Sequence, residues 1–205
     1  MTEICNIENI SKSYNNRLIL DNISLKLIRG HSYVICGESG IGKTTLLNII
    51  AGYVSADSGI INKVGKIDYM LQDKMLFSNL TVKQNIEIKL AAINDKQITD
   101  DLNITEELKR VNIHNLIDQK INTLSGGERQ RVELIMKSLV SPDILLLDEP
   151  TSELDKNNKE KVINIIDTLF ENTTKVVVTH DEESYPKSYK RLVMRNGVLI
   201  DECNK

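Results

Sequence analysis

The stretch Gly37-Glu38-Ser39-Gly40-Ile41-Gly42-Lys43-Thr44-Thr45 constrains this chain more than any other. It fits the phosphate-loop pattern G-x-x-x-x-G-K-[ST], and its flanks supply the context that the pattern requires. Before it, Ser32-Tyr33-Val34-Ile35-Cys36 is apolar and β-prone; after it, Thr45-Leu46-Leu47-Asn48-Ile49-Ile50-Ala51 places apolar residues at helical spacing. Strand, glycine turn and helix in that order predict an α/β core built to hold phosphate. Glycines bring backbone amides close to a ligand, and the helix start adds unsatisfied N–H groups and the positive end of its dipole. Lys43 can reach the β- and γ-phosphates, Thr44 can offer its hydroxyl to Mg²⁺, and Thr45 is placed near the α-phosphate.

The rest of the chain sets carboxylates and one imidazole at strand ends. Ile144-Leu145-Leu146-Leu147 is a short, wholly apolar run that reads as a central parallel strand. Asp148 and Glu149 close it, and burying two adjacent carboxylates for structure alone is costly. Asp148 suits Mg²⁺ or its water shell, and Glu149 suits the polarisation of water. Lys175-Val176-Val177-Val178-Thr179 is a second core strand, ended by His180. Gln72 follows another β-prone run, Ile67 to Leu71, and active groups in such folds lie outside the carboxyl ends of strands. Tyr14, shortly before the phosphate-loop strand, is either an adenine-stacking ring or an ordinary packing residue.

Leu124-Ser125-Gly126-Gly127-Glu128 opens a helix that runs through Leu134, Ile135 and Leu139. Ser125 and Glu128 have capping-box spacing. A helix start with one serine and two glycines, Gly126 and Gly127, is either a glycine-rich cap or a second anion-binding device. Residues 73–123 read as a mostly helical insert, with Val82, Ile86 and Leu90 on one face and a further helix from Ile104 to Val111. Near the N-terminus three strands are predicted within residues 4–36. Asp57-Ser58-Gly59 reads as a turn. Asn196-Gly197 between Arg191–Met194 and Val198–Ile200 is a hairpin signal.

These motifs, in this order, resemble the ATP-binding-cassette ATPases, the nucleotide-binding subunits of ABC transporters. The resemblance spans essentially the whole chain, residues 1–205. Leu124 to Glu128 is similar to the family's signature sequence. Gln72, Asp155 and His180 match its Q-loop, D-loop and H-loop positions, and Tyr14 matches its adenine-stacking aromatic. The resemblance implies an α/β phosphate-loop core with a parallel sheet, a small antiparallel β subdomain and a helical insert. It implies hydrolysis of ATP with Mg²⁺, Gln72 joining Thr44 and Asp148 at the metal, and Glu149, His180, Gln72 and Lys43 serving the chemistry. Gly37 to Thr45, Ser125 to Gly127 and Asp155 would contact nucleotide. It further implies a head-to-tail pair of cassettes, as a homodimer or two different chains, bound to an integral membrane permease.

Two departures stand out. The D-loop carries Glu153 where a small apolar residue is more usual, and the segment from Gly59 to Gln72 is short, which predicts a trimmed β subdomain. The runs Leu71 to Phe77 and Leu80-Thr81-Val82 look like the small exporters' ATPases, including lipoprotein-release and antimicrobial-peptide types. Cassettes that drive non-transport membrane complexes, such as cell-division systems, share these motifs. Soluble translation ATPases usually join two cassettes, and DNA-maintenance relatives carry long coiled coils; 205 residues and a net charge of -3 weigh against both.

No apolar run nears the roughly 20 residues of a membrane span, and no signal peptide is expected, so the chain would meet a membrane through a partner from the cytoplasmic side. The 3 cysteines are too few and too scattered for a disulfide framework or a zinc site. No nucleic-acid partner is expected.

Overall fold

The computed structural model describes residues 2–70, 76–93, 104–152 and 154–201. The chain has an α/β fold: a mixed parallel and antiparallel sheet core with a helical insert. It divides into two units, described here one at a time: Met1–Gln72 with Pro142–Ser152 and Asn172–Lys205, and Asp73–Ser141 with Glu153–Glu171.

The first unit holds two sheets. β1 (Glu3–Tyr14), β2 (Arg17–Ile28) and β4 (Ser58–Lys63) form an antiparallel sheet in the order β2-β1-β4. Asn15 and Asn16 both take positive φ between β1 and β2, the two-residue turn that suits right-twisted strands. The sequence predicts a turn at Asp57 to Gly59, but Ser58 and Gly59 belong to β4. Gly59 has φ +89, and a Cβ there would lie 2.5 Å from the Asn9 carbonyl oxygen. Only a residue without a side chain lets the strand pass that close to β1.

The larger sheet runs β5-β6-β7-β3-β8-β9, with β5 (Ile67–Met70), β6 (Ile144–Asp148), β7 (Thr174–Thr179), β3 (Ser32–Cys36), β8 (Lys190–Arg195) and β9 (Val198–Asp201). All neighbours are parallel except the β8–β9 hairpin. Every residue of β6 and β7 is buried. That burial explains their unbroken apolar runs, since strands covered on both faces have no solvent side to alternate with. β6, β7 and β3 are adjacent, with Asp148 opposite Val178 and Cys36 opposite Thr179. Their carboxyl ends therefore line up along one edge, where ligands of open α/β sheets bind. One apolar cluster joins Ile7, Ile10 and Leu27 of the small sheet to Leu46 and Ile50 of α1 (Lys43–Ala51) and to Leu146 and Val176. Cys5 and Cys36 are buried thiols, and burial pushes the Cys5 thiol up to about 11.

The second unit is helical: α2 (Val82–Ile93), α3 (Ile104–Arg110), α4 (Gly126–Ser138) and α5 (Lys156–Leu169), with single 3-10 turns at His114–Leu116 and Ile121–Thr123. Val82 and Ile86 are buried, and Leu90 packs at the margin of the same cluster with Leu108, Val132 and Ile135. α5 buries Val162, Ile163 and Ile166, and its Ile165 and Leu169 pack at the margin of the helical unit's cluster. The second 3-10 turn carries no clear sequence signal. Among the described residues, no helix is long and apolar enough to cross a membrane.

Candidate active site

The phosphate loop wraps around its own lysine. Gly42 caps α1 with φ +114, and a Cβ there would sit 2.9 Å from the Ile19 side chain and 3.2 Å from the Ile19 carbonyl oxygen. Glycine is thus required twice, by backbone conformation and by the close passage of β2. No side chain caps the helix start, and the first amides of a helix have no intrahelical acceptor. Lys43 is 7% exposed, and its Nζ donates to the carbonyls of Gly37 at 2.7 Å and Glu38 at 2.9 Å. A buried ammonium needs such partners. It has three donors, so two carbonyls hold it while one remains for an incoming anion.

Asp148 and Glu149 both line the cavity beside this loop, although neighbours on a strand point to opposite faces. The backbone resolves this. Glu149 has φ 48, in the left-handed region that few non-glycine residues adopt. Its N–H donates to the Val178 carbonyl, and its own carbonyl accepts from both the backbone and the hydroxyl of Ser152. Those bonds hold the turn that swings the second carboxylate round to the first. His180, one strand over, places Nδ1 3.0 Å from Glu149 Oε2.

Burial pushes the Asp148 carboxyl above the ordinary aspartate range, and the neighbouring Glu149 charge adds to this. Hydrogen bonds from the Thr44 and Tyr69 hydroxyls and the Lys43 charge pull it back down. Tyr69 donates to Asp148 Oδ2 at 3.2 Å, and its phenol is pushed up, by burial first and then by the Asp148 charge. The donor set of Thr44 hydroxyl and Asp148 carboxylate is all oxygen, the set a hard cation prefers. Among the described residues no three carboxylate, histidine or cysteine groups form a cage. A hydroxyl and a carboxylate together fit Mg²⁺, which is usually held by one or two protein oxygens with water and phosphate oxygens in its other positions.

The cavity has a volume of about 430 Å³. It brings together Tyr14, Ser39, Gly40, Gly42, Lys43, Thr44, Thr45, Asp148, Glu149 and His180, and adds Ile19 and Ser152, which sequence reasoning missed. Tyr14 is 44% exposed at the mouth. The Lys12 ammonium lies 5.4 Å from its ring centroid and 2.6 Å from Asp57, whose carboxylate also accepts from the Ser13 amide. Gly37, Glu38 and Ile41 line a neighbouring cavity with Cys36 and Met194, and His180 borders both.

The other predicted residues lie elsewhere. Ser125, Gly126 and Gly127 begin α4 in the helical unit, and the full capping box is present: Glu128 N–H donates to Ser125 Oγ, while the Ser125 amide and hydroxyl both donate to Glu128 Oε2. Nothing lies within 4 Å of a Cβ built on Gly126, so this helix start is open. Asp155 caps α5, accepting from the Asn158 amide at 3.1 Å. Gln72, the neighbouring run from Leu71 to Met75, and Glu153 lie outside the described residues.

Comparison with known proteins gives concordant results. A family model described as "ABC transporter" matches residues 20–152. The chain is 37% identical to the ergothioneine transport ATP-binding protein EgtV of Helicobacter pylori, over 91% of this chain and 94% of that protein. It is 32% identical to the spermidine/putrescine import ATP-binding protein PotA of Fusobacterium nucleatum, over 94% of this chain. There it spans about half of the relative, 54% of its length. Among solved structures, cbiO1 from Clostridium perfringens superposes with a TM-score of 0.84 at 27% identity, covering 98% of this chain and 88% of that one.

Proposed function

The chain belongs to the ABC transporter family as one of its ATP-binding cassettes, and from that premise we propose that it hydrolyses ATP to power a membrane protein partner. The observation that carries this reading is one cavity shared by a phosphate loop, Asp148, Glu149 and His180. In it the loop amides and Lys43 bind the β- and γ-phosphates, and Tyr14 stacks on the base. Thr44 and Asp148 hold Mg²⁺, with Gln72 as a third ligand by family resemblance. When bound, the ion would supply charge that offsets that of the phosphates. Glu149 accepts or orients the proton of the attacking water, and His180 fixes Glu149 and the γ-phosphate side of the site.

Two cassettes act as a head-to-tail pair, with the Ser125 to Gly127 helix start of one chain and its Asp155 loop completing the site of the other. The support is the open, glycine-rich start of α4, in a different unit from Lys43. The partner is an integral membrane protein, reached from the cytoplasmic side, and no nucleic acid takes part. Residues 73–123 form the insert through which that partner is engaged. The exporter type rests on the sequence runs around Gln72 alone. Relatives named for ergothioneine transport and polyamine import carry the same cassette, so cargo and direction belong to the membrane partner.

The test is ATP turnover by the purified chain. Lys43→Ala should weaken nucleotide binding roughly 10- to 150-fold, the loss of one charged hydrogen bond. Ser125→Arg should leave single-chain nucleotide binding intact and abolish turnover. Mixing the two variants should restore part of the activity, because one composite site then receives both defects and the other neither. A folded Lys43→Ala protein with unchanged affinity sinks the reading.

A further inference from the structure

Tyr69 belongs to a run whose sequence reads as ordinary β5 strand, and the cavity's own lining does not include it. Its placement is specific all the same. The side chain is 3% exposed, and its hydroxyl donates to Asp148 Oδ2 at 3.2 Å. Its ring stacks on that of Tyr53, with centroids 5.9 Å apart and planes 26° from parallel. Tyr53 directly follows Gly52, the residue that caps the end of α1, and the phosphate loop begins that same helix. The Tyr69 phenol therefore ties the cavity's inner carboxylate to the helix that carries the loop.

Resting on the nucleotide reading above, we propose that Tyr69 is a positioning residue: its hydroxyl fixes the rotation of the Asp148 carboxylate and thereby sets the site's affinity for the Mg²⁺ that accompanies ATP. The terminal torsion of an aspartate is soft and roughly two-fold. A donor on Oδ2 restricts that freedom from the inner side, while the Thr44 hydroxyl, which also bonds this carboxylate, stands with it to meet a cation. A neutral phenol is suited to this task. A lysine or arginine in its place would also satisfy the carboxylate, but its charge would repel the ion. Partners of this kind behind a metal ligand are typically worth 10- to 100-fold in metal affinity.

The experiment compares wild type with Tyr69→Phe, which removes one oxygen and keeps the ring stack. Displacement of a fluorescent ATP analogue is measured with Mg²⁺ in a titration series and with EDTA, beside a Mg²⁺ titration of turnover. Tyr69→Phe should need roughly 10-fold more Mg²⁺ for half-saturation in both titrations. Its affinity for metal-free ATP should be unchanged, and turnover should recover at high Mg²⁺. Equal Mg²⁺ requirement in the two proteins overturns the proposal. So does an equal loss of binding with and without metal, which marks a packing role only. Tyr53→Leu, at an exposed ring, should shift the Mg²⁺ requirement in the same direction by less, and it decides the matter if Tyr69→Phe does not fold. A wild type whose ATP binding and turnover ignore Mg²⁺ overturns this proposal alone, whereas a wild type that binds no ATP defeats the nucleotide reading itself.

Discussion

His180 Nδ1 lies 3.0 Å from Glu149 Oε2, within hydrogen-bond reach, so the imidazole and the carboxylate orient each other. Against a carboxylate that can only accept, it is the Nδ1–H tautomer of the ring that makes this bond. The pair is asymmetric: the Glu149 side chain is 17% exposed and that of His180 60%. The acid sits inside, and the ring that fixes it stands at the solvent side.

Glu149→Gln keeps the shape and removes the charge. Turnover should fall about 10²- to 10⁴-fold, the usual worth of a positioned acid–base group, while ATP affinity persists. The variant should accumulate as an ATP-bound dimer, and wild type should return to monomer as ATP is consumed. His180→Ala should also cut turnover sharply and spare much of the affinity. Single-turnover hydrolysis beside size-exclusion chromatography with MgATP measures both. Near-wild-type turnover of Glu149→Gln would remove Glu149 from its assigned role.

Phe77 is 58% exposed in the helical unit, yet its backbone is pinned on both sides by Asn85, which is fully buried. The Phe77 amide donates to Asn85 Oδ1 at 2.8 Å, and Asn85 Nδ2 donates to the Phe77 carbonyl at 3.2 Å. A large apolar ring held outward by a buried amide suits a docking contact. Phe77→Asp should lower recovery of the membrane complex several-fold and leave basal ATP turnover of the isolated cassette intact. Normal co-purification would assign the contact elsewhere.

The capping box of α4 predicts a pH dependence. Hydrogen bonds from the Ser125 amide, then from its hydroxyl, hold the Glu128 carboxyl below the ordinary glutamate range. A depressed native value means that the unfolded chain takes up the proton first on acidification. The contribution of this carboxylate is therefore full above the ordinary value of 4.5 and is lost as pH falls through the lower native value. Thermal melting of wild type and Glu128→Gln across that window should show the wild type losing its advantage on the acid side. Parallel melting curves at every pH would exclude a role for this charge.

Much of the first unit is legible from sequence because its signals are local. The phosphate loop sits between a strand and a helix of the right kinds, and the wholly apolar β6 betrays its burial on both faces. Asn196-Gly197 announces the hairpin that β8 and β9 form. Contacts between distant strands are less legible. Ser58-Gly59 has turn composition but pairs with β1, because glycine permits an approach that composition alone cannot report. The left-handed turn at Glu149 is set by a carbonyl on β7 and a serine ahead of it, so nothing in Asp-Glu-Pro itself foretells it. Tyr69 and the Lys12–Asp57 pair behind Tyr14 escape for the same reason, since their partners lie far along the chain.

The order of strands in the large sheet has a consequence for how the molecule comes into being. The three strand ends that meet at the cavity belong to β3, β6 and β7, and β7 ends at Thr179 in a chain of 205 residues. A ribosome therefore exposes the phosphate loop long before it releases the carboxylates and histidine that face it. Contacts of such long sequence separation form late and slowly. Until they form, the nascent loop has no complete pocket to offer. Nucleotide that binds only the finished arrangement draws the folding equilibrium towards it by mass action. ATP would thus serve as the ligand that marks the cassette as fully made.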